Sequence, residues 1–117
     1  MSETHTVVGN GRHTFEVHED WAKPPANIEV LAASVTVDAQ DRVYCFNRDT
    51  EHPVIVFDRD GNFLKSWGEG RFPRAHGVHM GPDDTIWLTD DADHTVRQCT
   101  LDGKVLLELG IPGRPTP

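Results

Sequence analysis

VTVDAQDRVYCFNRDTEHPVIVFDRDGNFLKSWG, residues 35–68, and VHMGPDDTIWLTDDADHTVRQCTLDGKVLLELG, residues 78–110, are one pattern written twice. Val35 matches Val78, Asp41 matches Asp84, Val43 matches Ile86 and Tyr44 matches Trp87. One residue is then lost, after which His52 matches His94, Val54 matches Val96, Asp60 matches Asp102, Gly61 matches Gly103 and Gly68 matches Gly110. A strand-rich repeat of about 40 residues is the mark of a β-propeller blade. A blade has two apolar faces and needs a neighbour on each, so two blades are too few for an autonomous ring.

Each copy divides into four short strands. In the first they fall at about 31–37, 42–47, 54–58 and 63–67, and in the second at about 77–80, 85–89, 96–100 and 105–109. Asp60-Gly61 and Asp102-Gly103 are hairpin signals, because glycine takes the positive φ of a tight turn without penalty. Pro82-Asp83-Asp84 is a second turn. No segment has the 3.6-residue period of a helix. The expected fold is all-β. An N-terminal extension (1–30) precedes blade one (31–68) and blade two (69–110), and the Pro- and Gly-rich stretch 111–117 reads as a tail. Residues 1–12 read as frayed. The alternation in HTFEVHED, beginning at His13, reads as a lone strand that seals the outer edge of another blade.

With 19 acidic and 11 basic residues the formal charge is −8, which argues against nucleic acid and against anionic membrane as partners. No apolar run approaches the ~20 residues of a membrane span. The N-terminus MSETHTVVGN lacks the basic segment and apolar core of a signal peptide, so a cytoplasmic protein is expected. Cys45 and Cys99 fall within strands and read as buried free thiols.

Positions that differ between the copies are the candidates for function. His76 stands opposite Ala33, just before the innermost strand of blade two, where side chains face a propeller's channel. An imidazole there is either a zinc ligand or a channel-lining residue that binds nothing. His79, three residues on, falls on the other side of the strand and should not share a metal with His76. Arg48 stands opposite Asp91. It either forks a carboxylate or pairs with Glu51 or Asp49. His52 and His94 are equivalent and read as structural. Asp90, Asp91 and Asp93 read as a solvated acidic turn rather than a calcium loop. Tyr44, Trp67 and Trp87 read as core.

The repeat resembles the NHL family of six-bladed propellers. More particularly, it looks like the lyase domain of peptidyl-α-hydroxyglycine α-amidating lyase and its bacterial relatives. The resemblance covers residues 31–110 and rests on VTVDAQDRVYCFNRDTEH and PRAHGVHMGPDDTIWLTDDADHTVRQCTLDG. It implies that His76 is one of three zinc histidines drawn from alternate blades, that Val35 and Val78 lend carbonyls to a channel calcium, and that Arg48 contacts substrate as a catalytic residue. The family's other zinc histidines and its catalytic tyrosine belong to later blades, and Tyr44 does not match that tyrosine. One chain therefore carries no complete catalytic set, and whether it is an enzyme stays open. Three chains of two blades would close a six-bladed homotrimer, bringing three His76 imidazoles around the axis. The expected activity is metal binding with lyase-like character, toward a small-molecule or peptide ligand. The alternatives are a non-catalytic interaction scaffold or a truncated piece of a full-length propeller lyase.

Overall fold

A computed structural model describes residues 5–115; residues 1–4 of the stretch expected to fray and residues 116–117 of the tail lie outside the described residues. Every named element is a strand: β1 (Thr6–Asn10), β2 (His13–Val17), β3 (Ala32–Val37), β4 (Val43–Asn47), β5 (Val54–Phe57), β6 (Phe63–Trp67), β7 (Ala75–Met80), β8 (Thr85–Asp90), β9 (Thr95–Thr100) and β10 (Val105–Leu109). β3 to β6 form one antiparallel four-stranded meander and β7 to β10 another, while β1 and β2 pair only with each other. The first strands of the two meanders, β3 and β7, lie side by side, as innermost blade strands do.

The backbone repeats as faithfully as the letters. Asp41 and Asp84 take φ of 60° and 57°, Gly61 and Gly103 take 83° and 96°, and Gly68 and Gly110 take 89° and 92°. Aspartate is among the few residues with a side chain that tolerate this left-handed region. In each copy the outer hairpin closes with matched bonds. The N–H of Asp58 donates to the carbonyl of Asn62 (2.9 Å), and that of Thr100 donates to the carbonyl of Lys104 (2.8 Å).

Side chains alternate across each strand, so each blade has two faces. One face of blade one, with Tyr44, Phe46, Val54 and Val56, packs on Ala75, Ile86, Leu88 and Cys99 of blade two. Phe72, from the connection between blades, is buried in the same cluster and meets Phe46 edge to face, with centroids 5.1 Å apart. Arg97 enters this layer where blade one has Ile55. It is buried, lies over the Phe72 ring, and donates to Asp93 (2.8 Å) and Glu108 (2.7 Å), so the charge is fully paired.

The outer faces differ. Cys45, Ile55 and Phe57 of blade one are covered by the segment before it through Trp21, Ala22, Ile28 and Val30. Val35 and Val37, on the innermost strand, remain open to solvent. On blade two, strand pairing places Trp87, Thr89, Val96, Gln98, Leu107 and Leu109 on the uncovered face. Trp87 was expected in the core and is instead half-buried, because no other sheet among the described residues packs over this face. The radius of gyration is 15.8 Å, against ~13 Å for a compact domain of about 100 residues. The excess reflects two open faces and a projecting hairpin.

The N-terminal region departs from expectation. Residues 6–10 are not frayed but form β1, which pairs antiparallel with β2 from Thr6 opposite Val17 to Asn10 opposite His13. The alternating segment is thus one arm of a hairpin, and Val7, Val8 and Phe15 are exposed on it.

Buried polar residues pin the loops. Asn47 and its equivalent Asp90 are both buried. Asn47 accepts from the N–H of Leu31 and donates to the carbonyls of Glu29 (2.9 Å) and His52 (3.3 Å). Asp90 accepts from the N–H groups of Arg74, Ala92 and Asp93. Asp38 accepts from the N–H groups of Gln40 and Arg42, from Arg42 Nε (2.6 Å) and from the Tyr44 hydroxyl (3.0 Å). Burial pushes its carboxyl up, but these bonds, Arg42's foremost, outweigh burial and hold it below the usual range.

Two outcomes are expected. Leu88→Ala opens a cavity between the blades and should cost about 2–5 kcal/mol in a urea melt, with both sheets lost in one transition because they share this layer. Asp38 has a depressed folded pKa, so its contribution is present above pH ~4 and fades as pH falls through the lowered value. Asp38→Asn should therefore be less stable near neutrality by roughly 1–2 kcal/mol, and its stability should fall less on acidification than that of the parent chain.

Candidate functional site

The end of the molecule where β3 and β7 begin gathers the residues singled out in the sequence. Val35 and Val78 occupy equivalent points on these two strands. The N–H of Val78 donates to the Ser34 hydroxyl at 3.3 Å, tying the innermost strands together at that level.

His76 owes its position to a break in the ladder. Ala75 pairs with Asp90 and Gly77 with Thr89, so two steps along β7 answer one along β8 and His76 is left over as a bulge. Ala33 is the matching extra residue in blade one, between Ala32 and Ser34. A bulge re-aims its residue away from the alternating faces. The histidine is accordingly exposed although its neighbour Ala75 is fully buried. His79 is exposed too and pairs with Trp87, on the outer face of blade two and away from the bulge.

Arg48 is brought to His76. Its Nε donates to the carbonyl of Ala75 at 3.1 Å, across the junction between blades. It does not spend itself on Asp49, because that carboxylate accepts from His52 Nδ1 (3.0 Å) and from the N–H of Glu51 (2.9 Å). The bond from His52 holds the Asp49 carboxyl below the usual range. His52 is thus a loop-bonding residue, as the sequence implies. His94 differs from its repeat partner in standing at a φ of 61° with its side chain exposed.

The acidic turn of blade two is not the solvated cluster its letters suggest. Asp90 is buried on backbone N–H groups, Asp91 faces Arg74 (3.3 Å) and Asp93 binds Arg97. Each charge is answered by an arginine outside the turn or by backbone N–H groups. Asn47 and Arg97 were not singled out from the sequence. Arg97 had a legible signal, since a charged residue stands where the first copy has the apolar Ile55.

Tyr44 is no base. Burial and the bond to Asp38 push its hydroxyl up to about 12, so it stays protonated at neutral pH. Cys45 and Cys99 are buried free thiols, and burial pushes Cys45 up to about 11 and Cys99 in the same direction. Neither is a nucleophile at neutral pH. Among the described residues no group of three or more His, Cys, Asp and Glu side chains could hold a metal ion. No helix among them is long and apolar enough to cross a membrane.

No family model matches the chain. Among curated proteins it is similar to NHL repeat-containing protein 3 of Mus musculus, with 28% identity over 86% of this chain and 35% of that protein. It is also similar to peptidyl-alpha-hydroxyglycine alpha-amidating lyase 1 of Drosophila melanogaster, at 38% identity over 47% of this chain and 11% of that protein. A WD repeat-containing protein WDS homolog of Arabidopsis thaliana matches at 31% identity over 55% of the chain and 12% of its own length. The chain thus spans about a third or less of the curated relatives it matches. Among solved structures, virginiamycin B lyase from Staphylococcus aureus superposes with a TM-score of 0.56 at 16% identity, over 74% of this chain and 29% of that one, a likeness of fold. The doubled blade, the two adjoining meanders and these relatives support an NHL-type β-propeller family.

Proposed function

We propose that the chain is a metal-binding propeller module of lyase-like kind, whose ring is completed by copies of itself. The observation that carries this reading is the bulge at His76. It frees one imidazole at the start of an innermost strand, beside an arginine whose bond to Ala75 uses only Nε. One chain offers zinc a single imidazole, and that alone does not fit the ion. Three chains around a common axis would contribute three and leave the fourth position open, the ligand set of a catalytic zinc site. The carbonyls of Val35 and Val78 would line the same channel as calcium ligands. Arg48 would fork the carboxylate of a small-molecule or peptide ligand with its terminal nitrogens. One relative is named a lyase, and a lyase-like reaction is the class we carry over from it. The buried, unpaired Cys45 and Cys99 suit a reducing compartment such as the cytoplasm.

The open faces support the ring. Val35 on the head of blade one is 60% exposed and Leu109 on the tail of blade two is 50% exposed. Apolar faces of this kind are normally covered in the working protein.

Light scattering and elemental analysis test the reading together. In zinc-containing buffer at tens to hundreds of micromolar protein, the expected species has three times the chain mass and binds one zinc per three chains. His76→Ala should abolish the zinc, and Arg48→Ala should leave it in place while weakening binding of a carboxylate ligand. A monomer throughout this range that retains no zinc overturns the proposal.

A further inference from the structure

The glycine turn of each outer hairpin is a seat for a tryptophan from the chain preceding that blade. A Cβ at Gly103 would lie 2.8 Å from Trp67 Cδ2, and one at Gly61 would meet the backbone carbonyl of Trp21 first and lie 3.2 Å from its Cδ2. Trp67 is the last residue of β6, so blade one fills the seat on blade two through the end of its outer strand. A lysine accompanies each tryptophan. Lys65 binds Asp102, and Lys23 Nζ donates to the carbonyl of Asp60, the repeat equivalent of Asp102, at 2.7 Å. Trp21 Nε1 also donates to the carbonyl of Arg59 (3.2 Å), and the N–H of Lys23 donates to the carbonyl of Gly61 (2.8 Å).

The seat on blade one is therefore filled by the N-terminal arm. In a head-to-tail ring, however, the blade that precedes blade one is blade two of a neighbouring copy. There the residue in the place of Trp67 is Leu109, which likewise ends the outer strand and is followed by a glycine. Two groups thus compete for one seat. We propose that the arm, residues 5–23, is an intramolecular stopper on self-assembly: Trp21 occupies in cis the seat at Gly61 that Leu109 of a second copy takes in trans.

The occupant follows from the contact between blades one and two, which is the template for the contact between copies. Trp87, Val96 and Leu109 of the free tail stand where Tyr44, Val54 and Trp67 stand in the filled contact. The arm is suited to exchange. Its two strands are almost wholly exposed and join neither meander, so its hold on the body rests on the short stretch around Trp21, Ala22 and Lys23. Leu109 is a smaller apolar claimant than Trp21 and brings no indole N–H for the Arg59 carbonyl, so the cis arm has the advantage at low concentration.

This inference rests on the ring reading, and one titration separates the two. The midpoint concentration for trimer formation is measured by light scattering for the intact chain, for the double variant Trp21→Ala/Lys23→Ala, and for Leu109→Trp in the otherwise intact chain. Near-ultraviolet circular dichroism checks that each is folded. The double variant should trimerise at roughly tenfold lower concentration than the intact chain. Leu109→Trp, which leaves the arm untouched, should also lower the midpoint by strengthening the trans claimant, and it carries the test if the double variant fails to fold. Trimers with an unchanged or higher midpoint in the folded variants overturn the stopper and leave the ring standing. Folded variants that stay monomeric at several hundred micromolar overturn both.

Discussion

Tyr44, Phe46, Val54 and Val56 on one sheet meet Ile86, Leu88 and Cys99 on the next, and the rest of the chain is arranged around that contact. A four-stranded meander has no thickness of its own, so its apolar residues leave water only when another layer covers them. Here one blade supplies the cover for the other. The contact also fixes the angle at which β3 and β7 lie together, and through it the position of every residue at the axial end. What the contact leaves over is as informative: a head face half covered by the chain's own N-terminal segment, and a tail face on which no other sheet packs among the described residues.

The candidate site is built from departures within this regular frame. A repeat with no irregularity would turn every side chain of an innermost strand toward one blade face or the other. One surplus residue in β7 releases His76 from that alternation, and the equivalent surplus in β3 is the small Ala33. The same geometry thus serves as plain backbone in one blade and carries an imidazole in the other. Arg48 reaches over from the neighbouring blade to the carbonyl just before the bulge, so the site depends on the blades keeping their relative placement.

Much of this was legible in the letters. The two Asp-Gly turns, the matched aspartates at Asp41 and Asp84, and the alternation in each strand fixed the number of blades and the order of their strands. His76 stood out because Ala33 answers it. Less was legible where the partner of a residue lies in another element. The acidic run around Asp91 reads as solvated until Arg74 and Arg97 are placed beside it. Trp87 reads as core because its equivalent Tyr44 is core, although no second sheet among the described residues packs over its face of blade two. Residues 6–10 carry too few apolar positions to announce a strand, and they become one only because His13–Val17 folds back on them.

By itself the sequence determined what is local and repeated: turn glycines, strand period, a doubled blade, and the departure from the doubling at His76. Those features depend on backbone preferences and on side-chain spacing within a few residues. Tertiary structure alone decided which faces are covered, which charges are paired, and that Trp21 and Trp67 fill equivalent seats on successive blades. Burial and pairing are properties of surfaces brought together from distant parts of the chain, and no local pattern records which surface will arrive.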